Sequence, residues 1–264
     1  MLFEELFLPR FYGFTLILLR ISGLMLSGPM FGNSVVPWNI RVLFILSMSV
    51  MIAPILLGAE SAIALPDSLL DYGWIAVGEL GLGLVLGLGV MTILSGLQLA
   101  GQLIDQQSGT GLGEVLNPEL DESGSLTGVL LFLMGTTIFL LLEPWGGHLQ
   151  MLSALLDTFQ TFPLGGAFVP TSSIEFLRDL VHHSLVIGIQ LAAPVLAAMM
   201  MVELAMGFLS RTVPQINVLV VGFVVRGLVS LLIMVVAFSG LGEVVADQIS
   251  MTIDGLRHTF SQSG

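Results

Sequence analysis

The chain has 264 residues, 55% of them hydrophobic and only 10% charged, where soluble domains carry about 25% charged residues. Its formal net charge is -12, its seven basic residues are all arginines, and cysteine is absent. This composition marks an integral membrane protein and excludes a basic grip on nucleic acid, a polybasic lipid anchor, disulfides and cysteine-held metal.

The first ten residues, MLFEELFLPR, place Glu4 and Glu5 where a cleaved signal carries positive charge. No A-x-A-like site follows, so the first apolar run is read as a retained membrane helix. Six apolar runs are expected as helical segments, at 11–31, 42–59, 74–100, 126–143, 181–210 and 215–242. Most approach the roughly 20 residues that a bilayer-crossing helix needs. The run at 126–143 is short. Those at 74–100 and 181–210 are long enough to tilt, kink or protrude. Residues 1–264 are read as one membrane-embedded domain.

Between the first two runs, Gly28-Pro29 and Gly32 make a sharp break, and Pro37 suits the first turn of the next helix. Ser210-Arg211-Thr-Val-Pro214 makes a similar break before the last run, with Pro214 expected in the first turn of that helix. Two such breaks suggest helical hairpins. Pro54 and Pro194 lie inside runs and each frees a carbonyl that must find a partner within protein. The third run carries glycines at 78, 81, 83, 87 and 89. Gly83 and Gly87 have the small-xxx-small spacing that lets another backbone approach closely, in this chain or in another subunit.

Gly101 to Ser125 is the longest strongly polar stretch. It holds Asp105, Glu114, Glu119, Asp121 and Glu122, the helix-breaking Gly109, Gly111, Gly113 and Pro118, and no basic residue. It either faces water or lines something inside the protein. Segment 145–162 follows as an amphipathic helix, with Leu149, Leu152, Leu155, Leu156 and Phe159 on one face and Gln150, Ser153, Asp157 and Gln160 on another. Pro163 ends it, and Ser172 or Ser173 is the expected N-cap of the next helix.

Charges inside the apolar runs are few: Arg20, Glu79, Glu203 and Arg226. Each is costly in lipid and should face protein or water, either pairing at helix or subunit contacts or serving an ion pathway. Arginine placement gives no orientation: Arg10, Arg178 and Arg257 would lie on one side, Arg41 and Arg211 on the other. That weak bias points to a chain placed by assembly with partners.

Gly109-Thr-Gly-Leu-Gly-Glu lacks the G-x-G-x-x-G spacing and βαβ context of a phosphate loop. Gly111-Leu-Gly113-Glu114 lacks the second acid of an intramembrane aspartyl protease, which must share a proton with the first. Ser95-Gly96 has Ile93 where a rhomboid elbow needs glycine. His182 and His183 are adjacent, so on a helix they diverge; His148 and His258 stand apart, and no metal site is expected. Met199-Met200-Met201 reads as apolar filling or as a soft pore lining.

A set of short motifs runs nearly end to end. They are Arg20-x-x-Gly23, Pro29-x-Phe31-Gly32, Val36-Pro37-x-x-x-Arg41, Gly78-Glu79, Ala100-Gly101-x-x-Ile104-x-x-Gln107-x-Gly109 and Asn117-Pro118. Gly147-His148-Leu149, Phe162-Pro163-Leu164-Gly165, Ala193-Pro194-Val195-Leu196 and Ser210-Arg211-x-x-Pro214-Gln215-x-Asn217-Val218 complete it. In order and spacing the chain resembles the FliR family, subunits of the bacterial type III export gate, whose injectisome counterparts share the pattern. It departs at Asn117-Pro118, where the family often has Asp-Pro. It departs again at Gly222-Phe223-Val224-Val225-Arg226, where valine replaces a proline and arginine stands for a lysine.

The resemblance implies an all-α membrane protein of helical hairpins, assembling into a multi-subunit helical export gate. It implies a structural role, not an enzyme, without cofactor. The implied partners are FliP-like and FliQ-like subunits, FlhB, unfolded exported flagellar proteins and the lipid bilayer, with no nucleic acid. The implied place is the bacterial inner membrane at the flagellar basal body. The polar loop 105–122 becomes a channel plug, with Gln107, Gly109, Gly111, Gly113, Asn117 and Pro118 as its candidate residues. Arg20, Glu79, Glu203, Arg211 and Arg226 become candidate buried charges at helix or subunit contacts. The alternatives are an injectisome gate subunit, or a secondary transporter using Glu79 and Glu203. The transporter predicts an inverted repeat that the sequence does not display.

Overall fold

A computed structural model of the chain describes residues 2–29, 36–58, 66, 68–109, 125–143, 146–166, 171–213, 215, 218–238 and 240–263. Among them the protein is all-α, with eight helices. They are α1 (Leu2–Ser27), α2 (Trp38–Leu56), α3 (Leu69–Ser108), α4 (Leu126–Leu141), α5 (Gly147–Thr161), α6 (Thr171–Thr212), α7 (Val218–Phe238) and α8 (Leu241–Ser263). Residues Leu8–Ser27 of α1 and the whole of α2, α3 and α6 are long and apolar enough to cross a membrane. The pair α7 and α8, bent by 62°, makes a further candidate span, and α4 is a shorter apolar helix.

The six runs all become helices, but three boundaries differ from the sequence reading. Helix α3 continues through the polar residues 101–108. At Gly101 a β-carbon would collide with the backbone of Thr127 and Gly128, so this glycine is a contact point between helices. The run at 215–242 divides into α7 and α8, and Pro214 lies outside the described residues. Helix α8 was not expected, although Val245, Ile249, Ile253, Leu256 and Phe260 recur at helical spacing and are all buried. Helix α6 starts at Thr171, so Ser172 and Ser173 lie inside its first turn instead of capping it.

The described residues form two compact units. The first holds α1, α2, α3 to Thr92, α5, α6 to Leu180 and α8 from Ile249. Here α2 packs on α1, and α1 runs parallel to the start of α3. A β-carbon on Gly23 would lie 2.8 Å from the Leu84 amide nitrogen and closer still to the Leu80 carbonyl. One on Gly83 would strike the Arg20 carbonyl, and one on Gly87 would lie 2.8 Å from the Gly28 nitrogen. The small-xxx-small pair of α3 is therefore spent on α1, within the chain. Gly89 meets the Leu256 side chain of α8 in the same way.

The second unit holds α3 from Ile93, α4, α6 from Val181, α7 and α8 to Gln248. Its core sets Ile104 of α3 against Ala192, Val195 and Met199 of α6, with Val229, Ile233 and Met234 of α7 packed on them. Gly96 of α3 lies against Ser184 of α6, and Gly188 of α6 lies against the Gly96 carbonyl, 2.7 Å from where its β-carbon would stand. Of the three consecutive methionines, Met199 is core while Met200 and Met201 are 62% and 71% exposed.

Candidate functional site

In the first unit, Arg20 and Glu79 are both fully buried and pair, Arg20 Nε donating to Glu79 Oε2 at 2.6 Å. A buried charge is tolerated only when its polar atoms are satisfied, and here several are. Arg20 Nη1 donates to Thr158 Oγ1 at 3.2 Å, and Nη2 donates to the Phe162 carbonyl at 3.1 Å. Thr158 Oγ1 in turn donates to the Leu155 carbonyl at 2.6 Å. The guanidinium lies over the Phe159 ring, 4.2 Å from its centroid. The second Glu79 oxygen accepts from the Gly165 amide at 3.2 Å.

This clamp joins α1, α3, α5 and the turn after α5. Gly165 serves there because its φ is +88°, a conformation that side chains disfavour. Three of the family-like motifs thus converge: Arg20-x-x-Gly23, Gly78-Glu79 and Phe162-Pro163-Leu164-Gly165. Thr158 and Phe159 were not anticipated as partners of Arg20. Thr158 also turns α5 about its axis. The buried stripe is Met151, Ala154, Leu155, Thr158 and Phe159, while Leu149 and Leu156, expected on the apolar face, are 46% and 37% exposed.

The second unit carries a different polar device, at the two ends of segment 110–124. Asp105, in the last turn of α3, is buried. Its Oδ2 accepts from Ser125 Oγ at 2.6 Å and from the Thr127 amide at 2.9 Å, and its Oδ1 accepts from Thr127 Oγ1. Ser125 Oγ also accepts from the Gly128 amide at 2.9 Å, which caps α4. An ionised carboxylate at a helix N-terminus adds favourable dipole and hydrogen-bond energy. Asp105 therefore ties the end of α3 to the start of α4. Ser125-Leu-Thr-Gly before an apolar run was a legible cap, but its acidic partner was not.

Of the candidate plug residues, Gln107 is helical and half-buried, donating to Glu203 Oε1 at 3.1 Å. Gly109 follows α3 with a φ of +80°. Gly111, Gly113, Asn117 and Pro118 lie outside the described residues. Among the candidate buried charges, only Arg20 and Glu79 are buried in the chain. Glu203 and Arg226 stand 3.8 Å apart on a partly exposed surface, and Arg211 is exposed at the end of α6. Leu204, Phe208, Phe223 and Val224, within a few positions of these charges in the chain, are exposed as well. His183 Nε2 is 2.8 Å from Gln248 Oε1.

Among the described residues, long apolar helices with outward-facing leucine, valine and methionine, held by glycine seams and a buried ion pair, define a multi-helix integral membrane protein. The match to a known group of such proteins runs over residues 11–252. The chain belongs to the family of bacterial export proteins, family 1. It is 31% identical to the flagellar biosynthetic protein FliR of Bacillus subtilis over 96% of each chain. It is 30% identical to FliR of Escherichia coli over 78% of this chain and 76% of that one. It is also 32% identical to the Yop proteins translocation protein T of Yersinia pestis over 60% of each.

Proposed function

We propose that this chain is a structural subunit of the flagellar type III export gate, helping to form and close a channel through which unfolded flagellar proteins leave the cell. The observation that carries this reading is the match to a flagellar relative over 96% of both chains. The injectisome relative aligns over 60%, which favours the flagellar use. Partners in this reading are FliP-like and FliQ-like subunits and FlhB, in the inner membrane at the basal body. Exposed apolar faces on α2, α6 and α7 support a subunit that is completed by neighbours and lipid. Arg211 and the Glu203–Arg226 pair are then charges placed at a subunit contact.

Closure in this reading is steric. Asp105 to Ser108 belong to α3, so the occluding part begins at Gly109 and includes Gly111, Gly113, Asn117 and Pro118. Its glycines, its lack of basic residues and the Asp105 tie at its two ends support a tethered stopper. The transporter alternative loses its main acid, since Glu79 is held by Arg20 and Gly165. Deleting Gly109–Gly113 in the assembled gate should raise ion leakage across the membrane; unchanged conductance refutes the stopper.

A further inference from the structure

Four helices of the second unit meet where α3 ends. Ile104 packs into the core formed with Ala192, Val195 and Met199 of α6. Asp105 holds the start of α4 through Ser125 and Thr127. Gln107 reaches α6, its Nε2 donating to Glu203 Oε1 at 3.1 Å. Gly109 lies beside α7: a β-carbon on it would stand 3.9 Å from Phe223 Cδ2. The direction in which the chain leaves α3 is therefore set by three neighbours. The tie to α4 is a buried carboxylate, while the tie from Gln107 to Glu203 is open to the surface.

That open tie is contested. Glu203 Oε1, which accepts from Gln107, is also the oxygen that Arg226 Nη2 approaches, to 3.8 Å. A hydrogen-bonded guanidinium–carboxylate pair closes to about 2.7–2.9 Å, so this ion pair is drawn up but not made. Arg226 Nε is buried and meets no acceptor among the described residues, which leaves the guanidinium a donor to spare. Two donors drawn to one oxygen turn like partial charges toward each other, so closing one contact weakens the other. The two side chains are 35% and 43% exposed, and at that exposure an ion pair does not far outweigh a hydrogen bond. A carboxylate placed between two partners of similar strength has two states, and a small displacement selects between them.

We propose that Glu203 is a positioning residue with two settings. Bound to Gln107 it holds the last turn of α3. Bound to Arg226 it lets that turn go, so a movement of α7 toward α6 of about 1 Å, enough to close the ion pair, loosens the exit of α3 at Gly109. The consequence for export rests on the reading of the following segment as a stopper; the switch itself does not.

Hydrogen exchange of the peptide Asp105–Gly109, measured by mass spectrometry on the full chain in its purified complex, reads the setting. Gln107→Leu should raise exchange there about fivefold, the worth of one hydrogen bond. Arg226→Leu and Glu203→Gln should each lower it about twofold. The first removes the competitor; the second keeps the acceptor oxygen but removes the charge that draws Arg226. Arg226→Leu added to Gln107→Leu should change nothing further. A purely structural network gives the opposite sign, because losing Arg226 or the Glu203 charge would loosen α3. Raised or unchanged exchange in Glu203→Gln, a nearly isosteric change, therefore overturns the proposal, as does unchanged exchange in Gln107→Leu. Ion conductance of the assembled gate, read in the same variants, separates the two ideas. Exchange that follows this pattern while conductance stays constant leaves the switch standing and refutes the stopper.

Discussion

Arg20 and Glu79 show how a single pair decides the worth of a helix contact. Removing one partner leaves the other charged and buried, a loss of about 3–5 kcal/mol. Arg20→Met alone should therefore lower the yield of folded, membrane-extracted protein sharply, as should Glu79→Leu alone. The double variant Arg20→Met with Glu79→Leu should recover most of the loss, because apolar side chains of similar volume need no partner. Resistance to denaturant in detergent measures all three, and a double variant as weak as the singles contradicts this account. Gly83→Ala acts differently. Its methyl group would strike the Arg20 carbonyl, and overpacking of this kind costs about 1–3 kcal/mol. Both charges were legible in the sequence as residues that lipid would not tolerate. Their pairing was not, because the two lie 59 positions apart and hydrophobic periodicity does not say which helices are neighbours.

Among the elements, the junction of α3 with α4 depends on Asp105. Asparagine there keeps the volume but removes the charge from the helix N-terminus and weakens the bonds from Ser125 and Thr127. Asp105→Asn should destabilise this junction by about 1–2 kcal/mol. Hydrogen exchange at the Thr127 and Gly128 amides should then rise roughly tenfold, with little change in α1. Unchanged exchange at those amides would show that α4 holds its first turn without Asp105. Long apolar segments were legible by length and composition alone. Less legible was the reach of α3, because the run was ended where polar residues begin, while Gly101 marks where another backbone touches the continuing helix. Helix α5 was placed correctly in the sequence, but its buried face was not. Thr158 enters the interior to serve Arg20, a demand that comes from another helix.

Across the whole molecule, apolar surface remains uncovered in quantity. Met51, Ile55, Phe208 and Val235 are 70%, 74%, 69% and 74% exposed. Such faces require lipid, protein or both. Extracted in mild detergent, the chain should be poorly dispersed alone and should co-purify with other export subunits at a fixed ratio. Size-exclusion chromatography with mass detection distinguishes the two behaviours. A monodisperse lone chain with no associated subunit would contradict a gate component. That the chain is a membrane protein followed from composition; how its polar residues are distributed between clamp, cap and surface required the fold.

Glycines four positions apart on α3 form a rail, and α1 rests on it through its own backbone. After a slip of one turn, about 5.4 Å, Gly87 would take the place of Gly83, but Met91 would take that of Gly87, where even a β-carbon meets Ser27 and Gly28. The ion pair forbids the slip, because it would carry Arg20 a full turn away from Glu79. Glycine contacts and the ion pair thus select the same register. The absence of natural cysteine makes this visible. Paired cysteines introduced along α1 and α3 should crosslink in one pattern in the native chain and in the same pattern when Arg20→Met and Glu79→Leu are combined, because the glycine contacts remain. A second pattern in the double variant would mean that the ion pair alone sets the register. The ion pair and the glycine contacts together tie α1 to the first half of α3.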